Sequence, residues 1–353
     1  MADSLTRRVA LVALLAAWMP AVALAEGNAW LIGDGIDVTM MNSGPTPPPG
    51  IEPGIAGALP PTAVVLDEVP TSSWTYGCTA TSAGMLFGYY DRTDFPNMYT
   101  GPANGGVCPP SDLGNQCSII ATQNGFDGRS TPGHVDDYWI SYGNSGPDPW
   151  ELGGTEHTWG GCTADYMGTN QWKWDFDDGT GEYGTDGVTD ANVDGSTIVF
   201  SYNSASRLYD YVPPAQHGTP QTACCHGLRL FAESRGYEVA ENYTQKTEEE
   251  APGGFSFDDY IAEIDAGRPV LIQVASAIEG HTMVGVGYNA DDQTVYLHTT
   301  WGDYIDEMTW GGTFSGMDHY AVTVIHLVPE PATVVLIASG GVMMLVLRRR
   351  RRT

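Results

Sequence analysis

At 353 residues the chain is long enough for one large domain or two modest ones, each with a sizeable core. Its 43 Asp and Glu against 15 Lys and Arg give a formal net charge of −28, and seven of the basic residues sit in the two terminal segments. A field of that sign excludes binding of nucleic acid or anionic lipid through net charge; it says nothing direct about chemistry.

Both ends read as processing signals. Arg7 and Arg8, an apolar run from Val9 and the small-residue site Ala23-Leu24-Ala25 predict a secretory signal peptide over 1–25. The far end, 329–353, carries Pro329-Glu330-Pro331, an apolar run over 332–347 and five arginines at 348–352. That run is short for a membrane span, which takes roughly 17–25 residues, and a basic stop after it suits transient anchoring. The three parts in this order resemble the PEP-CTERM sorting signal of Gram-negative bacteria. The resemblance implies removal of the tail by an exosortase-type membrane enzyme and export to the cell surface, the extracellular matrix or the medium; an ordinary C-terminal membrane anchor is the alternative.

Between the ends, residues 26–62 hold an apolar stretch of unassigned role and then a Pro- and Gly-rich linker, and the main domain is expected over 63–328. Val64-Val65-Leu66 reads as a first short strand. In the stretch Trp74 to Asp91, Ala80, Ala83, Phe87 and Tyr90 recur at helical spacing directly after Gly77-Cys78. A helix starting there places the Cys78 thiol where unpaired N–H groups and the dipole favour an anion, which lowers a thiol pKa toward neutrality. A small packed residue or half of a disulfide is the other reading of Cys78.

Residues 95–220 form an acidic, loop-rich insert with one strand-like run, Ser196 to Phe200. A helix around Leu228 and Phe231 ends at Gly236. Ser256 with Asp259 predicts a capped helix whose face is Phe257, Tyr260, Ile261 and Ile264, closed by Gly267. Strands follow at 269–275, 282–288, 294–300, 308–314 and 320–327, with 289–292 as a hairpin turn. Helices first and antiparallel strands after make an α+β fold.

A His at the head of an apolar strand, Gly280-His281-Thr282-Met283-Val284, completes a possible thiol–imidazole pair with Cys78. With Tyr76-Gly77-Cys78-Thr79-Ala80, Gly267-Arg268-Pro269-Val270 and Gly285-Val286-Gly287-Tyr288, the chain resembles a papain-like cysteine peptidase of the family 39, bacteriocin-processing type. The resemblance covers 64–92 and 220–327. It implies a Cys-bearing N-terminal helix packed on an antiparallel sheet, a peptide or protein substrate, Cys78 as nucleophile and His281 as general base. Two positions depart from the pattern. The residue that orients the His falls just before Trp301, where this sequence has Thr299 and Thr300, with Asp303 as a substitute from the loop. The oxyanion-hole Gln is replaced by Ser72, leaving the Cys78 backbone N–H as the other donor. A catalytically weak or inactive binding protein on the same scaffold is the second functional reading.

The remaining cysteines, Cys108, Cys117, Cys162, Cys224 and Cys225, suit an oxidising compartment. Bridges Cys108–Cys117 and Cys162 to Cys224 or Cys225 are the simplest pairings. Asp190, Asn192, Asp194 and Gly195 follow the first half of a calcium loop, but Ser201 stands where its bidentate Glu belongs, so a solvated acidic loop competes with calcium. No other cofactor is expected.

Overall fold

The structure is a computed structural model, and it describes residues 29–32, 35–49, 51, 54–55, 58–75, 77–99, 107–112, 119–120, 162–167, 169, 198–212 and 224–329. Both terminal segments, Cys117 and the acidic run Asp190–Asn192–Asp194 lie outside the described residues.

The framework is one antiparallel sheet. Its strands are β3 (Val64–Val65), β7 (Leu208–Tyr209), β8 (Val239–Lys246), β9 (Val270–Ala275), β10 (Gly280–Asn289), β11 (Thr294–His298), β12 (Asp306–Thr309), β13 (Thr313–Phe314) and β14 (Met317–Leu327). They run in the order β12-β11-β10-β9-β14-β8-β7, with β3 added to β10 and β13 to β14. A smaller sheet joins β1 (Ala29–Ile32), β2 (Ile36–Met41) and β6 (Ile198–Tyr202), and β4 (Thr71–Ser72) pairs in parallel with β5 (Ser111–Asp112).

Each face of the large sheet carries helices, and the alternation along β10 decides which. Val284 and Val286 join Leu271 of β9 in one buried cluster with α1 (Cys78–Arg92). Met283 joins Ile272 and Val274 in a second, covered by α4 (Phe257–Asp265). Ala80, Ala83 and Phe87, the residues at helical spacing, are fully buried, and Phe87 meets Phe231 of α3 (Cys224–Ser234) with ring centroids 4.6 Å apart. A short helix, α2 (Thr163–Met167), joins this side, where the Thr163 hydroxyl donates to the Ala80 carbonyl of α1 at 2.8 Å. The α+β expectation, a Cys-bearing helix against an antiparallel sheet, agrees with this arrangement.

The capped helix forms as the sequence predicts. Ser256 and Asp259 make a reciprocal capping box, and Gly267 ends the helix at φ +72°. Three expectations are corrected. The single strand over 308–314 is split by Gly311 at φ +65° into β12 and β13. Cys224 and Cys225 are free thiols, so neither bridges Cys162: Cys224 packs on Met167 Sδ at 3.8 Å and Cys225 accepts from Asn242 Nδ2 at 3.3 Å. Cys108 is free as well, so the bridge to Cys117 is not made.

Glycine at 285 is dictated by a close approach. A Cβ there would lie 2.7 Å from the Tyr260 hydroxyl oxygen and 2.9 Å from its ring, and that hydroxyl is committed to the Gly287 carbonyl at 2.8 Å. Gly285→Ala is therefore expected to cost about 1–3 kcal/mol of stability, the usual penalty for overpacking. Thermal denaturation checks it, and an unchanged midpoint would mean that Tyr260 is free to move.

Candidate active site

The loop into α1 is held from within the helix. Gly77 sits at φ +110°, a conformation that requires glycine, and Thr81 Oγ1 accepts from the Thr75 N–H at 2.8 Å while lying 2.8 Å from the Gly77 carbonyl it donates to. Cys78 is the first residue of the helix, so its backbone N–H has no intrahelical partner.

Beside it, the first residues of β10 lack a sheet neighbour on one side. Pairing with β11 begins only at Val284, opposite His298, whereas β9 pairs from Gly280 onward. The outward backbone groups at Thr282 are satisfied by α1 instead. Ser82 Oγ donates to the Thr282 carbonyl at 2.9 Å, Thr79 and Thr282 hydroxyls are 2.8 Å apart, and the Thr282 backbone faces the Cys78 sulfur. The thiol is thus lodged against the residue that follows His281.

His281 lies on the other side of that strand backbone, fully buried, with its ring stacked on Trp301 at 4.0 Å. Its Nε2 donates to the Thr299 carbonyl at 2.8 Å, which leaves Nδ1 as the lone-pair nitrogen; Nδ1 is buried and makes no hydrogen bond among the described residues. Thr299 therefore orients His281 as the sequence position suggests, but through its main chain. Its hydroxyl turns the other way and donates to Asp306 Oδ2 at 3.0 Å.

Asp303 does not take the orienting role expected of it. Thr71 donates to one of its carboxylate oxygens and Ser111 to the other, the latter at 3.2 Å, so the group ties β4 and β5 to the loop. Ser72, expected at the oxyanion position, is buried in β4 opposite Asp112. Asp306 was not singled out by the sequence because it is seven residues past Thr299 and on the next strand. Thr300 gives a further signal only the structure carries: a β-branched residue at φ +70°, in the left-handed region that costs roughly 1–3 kcal/mol.

Burial also corrects the expected acidity of the thiol. It pushes Cys78 above its ordinary value, and the hydrogen bonds from the Thr282 and Thr79 groups offset this only in part. The same burial pulls His281 down to about 4. Both groups rest neutral at pH 7, a thiol and an imidazole.

The site is roofed by the chain before it. The N–H groups of Asn42 and Ser43 donate to the Gly280 carbonyl at 3.0 Å, Trp74 Nε1 to the Ser43 carbonyl at 2.9 Å and Trp301 Nε1 to the Gly44 carbonyl at 2.9 Å. Among the described residues no cluster of three or more His, Cys, Asp or Glu is placed to hold a metal ion.

Three imidazoles are held neutral by burial: His281 and His298 at about 4 and His319 at about 3. The unfolded chain binds these protons near pH 6.5 and the folded one does not, so stability is complete above that value and is lost as pH falls toward 4 and below. At about 1.4 kcal/mol per unit the loss reaches several kcal/mol. Urea midpoints measured from neutrality downward are expected to decline; a flat profile to about pH 5 would contradict the buried neutral imidazoles.

The comparisons fall on this arrangement only in part. Residues 165–316 match the family described as Peptidase_C39 like, a span under half of the chain that takes in His281, Thr299, Asp303 and Asp306 and leaves out Cys78 and Ser72. No curated protein matches the chain. Among solved structures, the crystal structure of xylellain, a cysteine protease from Xylella fastidiosa, aligns over 80% of this chain and 97% of its own at 12% identity, with a TM-score of 0.28, too low to bear on fold or activity.

Proposed function

We propose that the chain is a papain-like cysteine peptidase in which Cys78 attacks the substrate carbonyl and His281 takes the thiol proton. The observation that carries this reading is the fixed tautomer of His281. With Nε2–H held by the Thr299 carbonyl, the basic nitrogen is Nδ1, without a partner among the described residues and on the residue next to the one the thiol leans on. The match of residues 165–316 to the Peptidase_C39 like family supports it.

Because both groups rest neutral, the thiolate forms at attack, when the proton passes to Nδ1, and the imidazolium then protonates the leaving amine. The Cys78 N–H, which has no intrahelical partner, is the oxyanion donor. The substrate is a peptide or protein, and residues 42–44, bonded to Gly280, Trp74 and Trp301, border its approach to His281. From sequence alone we assign export to the cell surface or matrix through the signal at 1–25, a transient membrane stage and exosortase processing at 329–353, and leave calcium at Asp190, Asn192 and Asp194 to the acidic loop.

The complete burial of Cys78 and His281 favours one competing reading, an inactive binding protein on this scaffold. Turnover decides between them. Hydrolysis of a casein digest is expected, abolished in Cys78→Ala and reduced about 10²-fold or more in His281→Ala. Asp303→Ala should stay near the parent rate, since that carboxylate serves β4 and β5. Hydrolysis that survives Cys78→Ala, or none in the parent chain, overturns the peptidase reading. Iodoacetamide labelling of Cys78 should climb through the alkaline range without an acid plateau, because burial raises the thiol.

A further inference from the structure

We propose that Asp306 is the positioning residue of this site, acting through Thr299 to hold the carbonyl that fixes His281. The inference rests on the Cys78–His281 reading for its catalytic meaning, but its geometry stands on three observations. The chain leaves β11 at His298 and kinks at Thr300, whose φ of +70° is one that a β-branched residue avoids. The carbonyl presented to His281 belongs to Thr299, at that kink. Such a backbone persists only where its surroundings over-determine it, and two bonds do so here: Thr299 Oγ1 to Asp306 Oδ2 at 3.0 Å, and the Trp74 N–H to the Thr300 carbonyl at 2.7 Å.

Asp306 suits the task because it is itself anchored. It heads β12, where Leu297 of β11 is its partner across the sheet, and its other oxygen accepts from the Gly54 N–H at 2.6 Å. A carboxylate is acceptor only, so it compels the Thr299 hydroxyl to donate and leaves a single rotamer. The arrangement replaces a side chain that would touch the ring by a main-chain carbonyl, with the carboxylate one residue removed from the imidazole.

The test uses Thr299→Val, Asp306→Ala and their double variant in the whole chain. Folding is confirmed by circular dichroism, and two readouts are taken: the rate of Cys78 alkylation by iodoacetamide and the ring ¹⁵N resonances of His281. Each single variant is expected to slow alkylation about tenfold, the worth of one buried hydrogen bond to a charged group, and to move His281 away from a pure Nε2–H tautomer. The double variant should be no slower than Asp306→Ala alone, since Thr299→Val removes a bond that Asp306→Ala already lacks. Thr299→Ser keeps the hydroxyl and should recover most of the rate lost in Thr299→Val, which also covers a failure of Asp306→Ala to fold. Additive losses, or His281 resonances unmoved in Asp306→Ala and Thr299→Val, overturn the assignment. The His281 resonances read Asp306 without any turnover, so loss of the peptidase reading alone leaves this result distinguishable.

Discussion

The structure turns on the unpaired start of β10. A strand edge buried without partners costs about 1–3 kcal/mol for each unsatisfied backbone group, and here the cost is removed by the first turns of α1, where Ser82 and Thr79 reach Thr282. The bonding is polar, short-range and directional, so it sets the axial position of the helix against the sheet more tightly than the apolar cluster beneath it can. Cys78 takes its place against the Thr282 backbone as a consequence of that docking.

Burial then governs the chemistry. The helix terminus and the surrounding N–H groups favour a thiolate, yet desolvation opposes any charge in the pocket and prevails at both Cys78 and His281. In the proposed mechanism, a neutral resting pair needs an imidazole whose tautomer is fixed in advance, because the lone pair must be free to receive the proton. The carbonyl of Thr299 meets that need, and the stacked indole of Trp301 keeps the ring in plane. In that mechanism a neutral carbonyl stabilises imidazolium less than a carboxylate would, which favours slow turnover.

The chain before the domain is bound into the same construction. Residues 42–44 use the carbonyl of Gly280 and both indoles as anchors, and Gly54 and Ile55 bond to Asp306 and Ile305. The segment around Gly54 and the support behind the imidazole therefore share Asp306.

Much of this was legible in the order of residues. Helical spacing of Ala80, Ala83 and Phe87, the Ser256 cap and the strands around 269–275, 282–288 and 320–327 depend on local periodicity and local bonding, and they form as read, whereas the strand over 308–314 is broken at Gly311. Cys78 and His281 were legible as candidate chemistry for the same reason: each stands at the end of a regular element. What the sequence could not carry was pairing at a distance. The strand β2 and the roof after it were an apolar stretch and a linker until Gly280 and two indoles received them. The sequence offered Asp303 as the orienting carboxylate and passed over Asp306; only the turn at Thr300, set by bonds to Trp74 and Asp306, decides that Asp306 faces the site's support while Asp303 faces β4. Residue type and spacing determined which elements form. Burial and directional hydrogen bonds across the fold determined which groups meet and what charge they hold, because both depend on neighbours that are remote along the chain.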